Sequence, residues 1–218
     1  MKSFSFRRSP LLVALAPAFA IAAQSPAPLR AEFVDPAKPE VAAIRQAGEA
    51  AVAAVGKKLV TALNTALAAG GPEAAVLVCQ TQALPLTAEK LADQPTLVSV
   101  KRTSLRLRNP ANAPDAAERL ALDHVAKLVA AGQPPPPVLV QRIQPSGTAA
   151  PEWRVYRPIA TKAECLVCHG DPATQSPALR TALQTRYPTD AALGYAADQW
   201  RGLFRVTIAP APAPSVRP

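Results

Sequence analysis

The stretch PVLVQRIQPSGTAAPEWRVYRPIATKAECLVCHG, residues 137–170, decides the reading of the fold. Two short runs, PVLVQRI and WRVYRPI, carry β-favouring residues on either side of the turn-forming PSGTAAP, which predicts an antiparallel hairpin. Upstream, Gly132 and the prolines at 134–137 stop a helix expected to begin near Pro114 and Asp115 and to run to Ala131. RNPANAPD ahead of that helix reads as a turn, and residues 96–103, alternating and rich in Val and Thr, read as a strand. Downstream, a short helix is expected over 177–185, then a loop through YPTDAALGY and a closing strand GLFRVTIA.

Further out, Ile44, Val52, Val55, Leu59, Leu63 and Leu67 recur at helical spacing over residues 41–69, and Gly70-Gly71-Pro72 ends the pattern. A second helical stretch starts at Pro72 and runs through AAVLVCQTQA, with a bend or break at Pro85. Residues 24–39 are Ala- and Pro-rich without periodicity and read as a flexible lead-in, and 210–218 as a disordered tail. Residues 1–23 place Lys2, Arg7 and Arg8 ahead of an apolar run and small residues, the order of a secretory signal peptide. The expected class is α+β. A helical arm over 40–71 precedes an antiparallel sheet with surrounding helices over 72–209.

Export with a cleaved leader predicts a periplasmic protein, and no later stretch reads as an integral membrane segment. Loss of Lys2, Arg7 and Arg8 takes the formal net charge from +9 to +6. The remaining basic residues are scattered and aromatic residues make up 5% of the chain, so nucleic acid is not an expected partner.

Cys165-Leu166-Val167-Cys168-His169 is the chemistry-bearing motif. Two thiols at this spacing add across the two vinyl groups of one haem, and the adjoining imidazole reaches the iron from the same turn. One covalent haem c is therefore expected, with thioether bonds from Cys165 and Cys168 and His169 as proximal ligand. A Cys165–Cys168 disulfide is disfavoured because the flanking sequence lacks the strand-to-helix context of a thioredoxin-like site. A zinc site would have to recruit Cys79 or His124 as a fourth ligand.

Met1 is the chain's one methionine and leaves with the signal peptide, which removes a His/Met ligand set. The far side of the iron is left with Cys79, His124, a Lys, a Tyr or nothing. His124 lies in the helical LALDHVAKLV, where an edge-of-core role is ordinary. Cys79 sits in an apolar run, where packing is ordinary, but an unpaired thiol in an exported protein is an oxidation liability that coordination would relieve.

AAVLVCQTQA at 74–83, RTSLRLRNPANAPD at 102–115, CLVCHG at 165–170 and YPTDAALGYAADQWRGLFRVTI, in this order over residues 41–208, together resemble a family of periplasmic PAS-like c-haem domains, long catalogued as a domain of unknown function. The resemblance implies a PAS-like antiparallel sheet behind long N-terminal helices and a His/Cys axial pair, here His169 and Cys79, with His124 as runner-up. Many relatives are the sensory ectodomains of histidine kinases or diguanylate cyclases. This chain departs from them at AADQWRG, where Ala197-Asp198 stands in place of a glycine-rich loop.

Arg102, Arg106 and Arg108 alternate with small or apolar residues, as on one face of an extended segment, and Arg102 and Arg108 are the expected contacts of the haem propionates. Tyr187 and Tyr195 are expected at the haem edge. The resulting expectation is a redox or small-ligand sensor, with a periplasmic electron carrier as the alternative. Its partners would be a redox or signalling protein in the periplasm, a diatomic gas, or a second copy in a homodimer. No distal acid–base pair is evident, so an enzyme is not expected.

Overall fold

The computed structural model describes residues 29–81, 83, 97–144 and 150–208. The expected signal peptide, the expected tail, the expected bend at Pro85 and most of the turn PSGTAAP lie outside them. Five strands, β1 (Arg30–Val34), β2 (Leu97–Thr103), β3 (Leu139–Gln144), β4 (Glu152–Ala160) and β5 (Trp200–Ile208), form one antiparallel sheet in the order β1-β3-β4-β5-β2. The helices are α1 (Ala42–Thr81), α2 (Ala116–Ala130), α3 (Leu166–His169) and α4 (Pro177–Arg186). The class is α+β, a long N-terminal helix and a five-stranded antiparallel sheet with helices.

The 137–170 hairpin forms as its sequence predicts, with Leu139 opposite Tyr156 and Ile143 opposite Glu152. One segment differs. Within the expected lead-in, residues 30–34 are a strand, pairing Arg30 with Gln144 through Val34 with Val140. This edge strand is short and charged, with Glu32 bound to Arg142 at 3.2 Å, so its period-2 signal is weak beside the flanking Ala and Pro.

The two sheet faces follow from strand alternation. On one, Val100, Val155, Val206 and Ile208 pack with Ala51 and Val55 of α1. Gly48 permits the approach, because a Cβ there would sit 2.4 Å from Val155 Cβ. On the other, Leu139, Tyr156 and Leu203 pack with Ala121, Leu122 and Val125 of α2. Asp115 caps α2 in a reciprocal box with Glu118.

By length and composition α1 could cross a membrane, with a hydropathy of 1.3 that the sequence reading did not single out. Its packing on the sheet gives part of that apolar surface another use. The helix is also not continuous. Gly70 (φ −155°) and Gly71 (φ +70°) leave helical geometry where GGP predicts a stop, and Pro72 opens a second arm. That arm has its own small core, Val76 with Leu179, Leu183 and Tyr187, against which Cys168 packs.

Candidate functional site

Between the α1 face of the sheet and the two arms of α1 lies a largely apolar cavity of about 330 Å³. Leu59, Leu63 and Leu67 come from the first arm, Val76 and Cys79 from the second, Ile159 and Phe204 from the sheet, and Cys165, Cys168 and His169 close one wall. Cys79 and the CxxCH segment, 86 positions apart at their nearest, thus line one space. All three cysteines are free and partly buried, which sets aside the disulfide. Among the described residues no three His, Cys, Asp or Glu cluster as ligands of a bare metal ion, so the zinc reading has no donor set.

The CxxCH segment is a single turn. A 3-10 turn over Ala163–Cys165 runs into α3, and Gly170 ends it where a Cβ would meet Leu166 O at 2.6 Å. The loop after α4 then fixes His169. Its Nδ1 donates to Ala192 O at 2.7 Å, while His169 O and Gly170 O accept from Tyr195 N and Gly194 N at 2.9 and 2.8 Å. With the proton held on Nδ1, the Nε2 lone pair is left for a metal. Burial, and then the charges of Arg201 and Arg108, push the imidazole well below its ordinary pKa, which keeps it in the neutral form a metal needs.

Arg108 is buried beside His169. It pairs with Asp190 at 2.8 Å, donates to Cys168 O and to Ala192 O, and brings Nη1 to 3.5 Å from His169 Nε2. Asp190 Oδ1 accepts from Ala192 N at 2.8 Å, so one carboxylate orders both the arginine and the carbonyl that orients the imidazole.

Arg106 does not share a strand face with its neighbours, because β2 ends at Thr103. It donates to Ala191 O and Leu193 O and stacks 4.2 Å over the ring of Tyr195. Tyr195 meets His169 edge-on, at 6.4 Å between ring centroids, and Tyr187 lines the cavity. His124 is a correction to the runner-up ligand: it lies on α2, on the opposite face of the sheet, with its ring 4.8 Å from that of Phe33. Its apolar neighbours point α2 at the other core, which removes it from the cavity.

A small polar chamber of about 80 Å³ adjoins the apolar cavity, lined by Arg102, Ser104, Asn112 and Arg201 among others. Arg201 escaped the sequence reading. Ile159 pairs with Gly202 and Ala160 with Trp200, which leaves Arg201 as the extra residue of a β-bulge at the cavity wall. Gly202 is required beside it, since a Cβ would lie 2.4 Å from Thr103 O. Buried Nε atoms of Arg102 and Arg201 and Oδ1 of Asn112 have no partner among the described residues. In AADQWRG, Asp198 takes φ +59°, a left-handed state that Asp tolerates, and its N donates to Thr161 O at 2.7 Å.

The model of the Tll0287-like family, described as Tll0287, matches residues 30–209. No curated protein matches the chain. The crystal structure of the cyanobacterial heme-protein Tll0287 is similar over 79% of this chain and 97% of its own, at 23% identity and a TM-score of 0.45. A family match that runs from the first strand to just past the last places the chain plainly: it belongs to the Tll0287-like family.

Proposed function

We propose that this protein binds one haem c in the apolar cavity, held by thioethers from Cys165 and Cys168, with His169 and Cys79 as axial ligands, and that it acts as a redox or small-ligand sensor after export to the periplasm. The observation that carries the reading is the meeting of Cys79 with CxxCH across one apolar cavity of about 330 Å³, within the range of small-molecule and cofactor sites. The donor set and the buried, unpartnered guanidinium Nε atoms of Arg102 and Arg201 beside it fit an apolar group with two carboxylates. When bound, haem would supply a redox-active iron with an exchangeable axial position.

The protein's own residues do the rest. Cys165 and Cys168 would hold the group covalently, each thiol adding its S–H across a vinyl C=C so that an Sγ–C bond forms and the hydrogen goes to the neighbouring carbon. His169 offers Nε2 because Nδ1 is engaged by Ala192. Cys79 would hold the iron as a thiolate, which would favour the ferric state and a lower reduction potential than a His/Met set. A weaker hold on Sγ in the reduced protein would let the thiol keep a proton and the second arm of α1 turn about the break at Gly70 and Gly71. The vacated side would admit a diatomic ligand.

A pyridine haemochrome spectrum of the exported protein should show two thioether links. In Cys79→Ser the ferric spectrum should shift and the potential rise. An unchanged spectrum would remove Cys79 from the iron, and fast electron self-exchange without movement of α1 would make the protein an electron carrier instead.

A further inference from the structure

The sequence points to Arg102 and Arg108 as the carboxylate contacts. Arg108 is poorly available for that role. Its guanidinium already serves Asp190, Cys168 O and Ala192 O. Arg102 and Arg201 are in the opposite condition, both partly buried at the junction of the apolar cavity and the polar chamber, their Nε atoms buried and with no carboxylate partner among the described residues. Buried guanidinium nitrogens without an acceptor are rare, because desolvating a charged group costs far more than an unmade neutral hydrogen bond.

We propose that the polar chamber is the seat of the two haem propionates and that Arg102 and Arg201, rather than Arg108, are their anchoring cations. The assignment rests on the haem reading above. Five observations support it. With Arg108 neutralised by Asp190, Arg102 and Arg201 leave two positive charges, which two carboxylates balance. Their orphaned Nε–H groups can each complete a forked guanidinium–carboxylate contact, the strongest arrangement for such a pair. Unpaired Asn112 Oδ1 lines the same chamber, and turning that amide end for end directs its NH₂ there instead. Burial, followed by the nearby charges of Arg102 and Arg108, lowers Arg201 to about 10, a cost that an anion between the guanidinium groups would relieve. The bulge that aims Arg201 inward also has a purpose under this assignment.

The test uses the holoprotein and two readouts, the propionate bending modes in its resonance Raman spectrum and the pH dependence of its potential. Arg102→Gln and Arg201→Gln should each move the bending band to lower wavenumber. They should also make the potential fall with rising pH through the neutral range, because a buried carboxyl without its cation titrates there. The wild type and Arg119→Gln, altered on the exposed surface of α2, should keep the band and a flat profile. Should a glutamine variant fail to fold, Arg201→Lys keeps the charge without the fork and should give a smaller shift in the same direction. Bands and profiles unmoved in the arginine variants would overturn the assignment while leaving the haem in place. A wild-type protein without a c-type haemochrome would overturn the haem reading and this assignment together.

Discussion

The two faces of the sheet treat buried polar groups in opposite ways. On the α2 face the charged groups are paired within the fold, with Trp200 Nε1 the one buried polar atom there lacking a partner among the described residues: Glu118, fully buried, accepts from Lys101 Nζ at 2.7 Å, Arg205 Nε at 2.9 Å and Asp115 N at 2.9 Å. Tyr156 OH donates to Gln141 Oε1, and Gln141 Nε2 donates to Ala117 O. On the α1 face the half nearer Gly48 is densely packed, whereas beyond Gly56 there is an apolar cavity, three free thiols and two arginines whose Nε atoms have no partner among the described residues. Polar groups inside a folded protein are satisfied when nothing else is to bind. The contrast therefore separates the side that holds the fold together from the side that carries the candidate site.

The sharpest way to break the contrast is to damage the paired face. Glu118→Ala takes a fully buried carboxylate from the partly buried Lys101 and Arg205 and should cost about 3 kcal/mol in urea unfolding. If the faces are separate, the folded fraction should still acquire haem. Asp190→Asn probes the ion pair nearest the cavity. It strands Arg108 and loosens Ala192, so a loss of about 3 kcal/mol should come with an altered ligand field at His169, which Glu118→Ala should not show. A stability loss with an unaltered spectrum would detach Asp190 from the ligand.

The sequence made one face more legible than the other for the same physical reason. Hairpin, helix stop at GGP, the Asp115 cap and CxxCH are local signals, each carried by residues within a few positions of one another. The pairing of Arg108 with Asp190 spans 82 positions, and the junction of Cys79 with His169 exists only once the second arm of α1 packs on α4. Cys79 was reached through family resemblance, not spacing. Arg201 was hidden for a sharper reason: a period-2 reading of WRGLFRVTI cannot show a bulge, and the bulge is what gives Arg201 its place at the cavity wall. Edge strand β1 was lost because RAEFV spends its alternation on charges. His124, by contrast, was assigned to a helix correctly and to the wrong face as a ligand, since nothing near it specifies which way α2 packs.

The smallest effect expected is a pH-dependent one on the α2 face. Burial alone would raise the Asp115 carboxyl, but the hydrogen bond from Glu118 N and the paired Arg154 hold it below the ordinary carboxylate range. The unfolded chain therefore binds this proton more readily than the folded one as the pH drops. The cap's contribution is fully present above the ordinary carboxyl value of about 3.9, and it is lost as the pH falls through the lower folded value. Asp115→Ala should cost about 1 kcal/mol at neutral pH, the usual worth of an N-cap. Its stability curve should converge on that of the wild type below about pH 4. Asp115 is partly exposed, so added salt should trim the Arg154 share of the difference and leave the bond to Glu118 N. The cavity lies on the other side of the sheet, and the absorption spectrum of the haem should follow none of these changes; a spectrum that tracked the cap would show that the two faces are coupled.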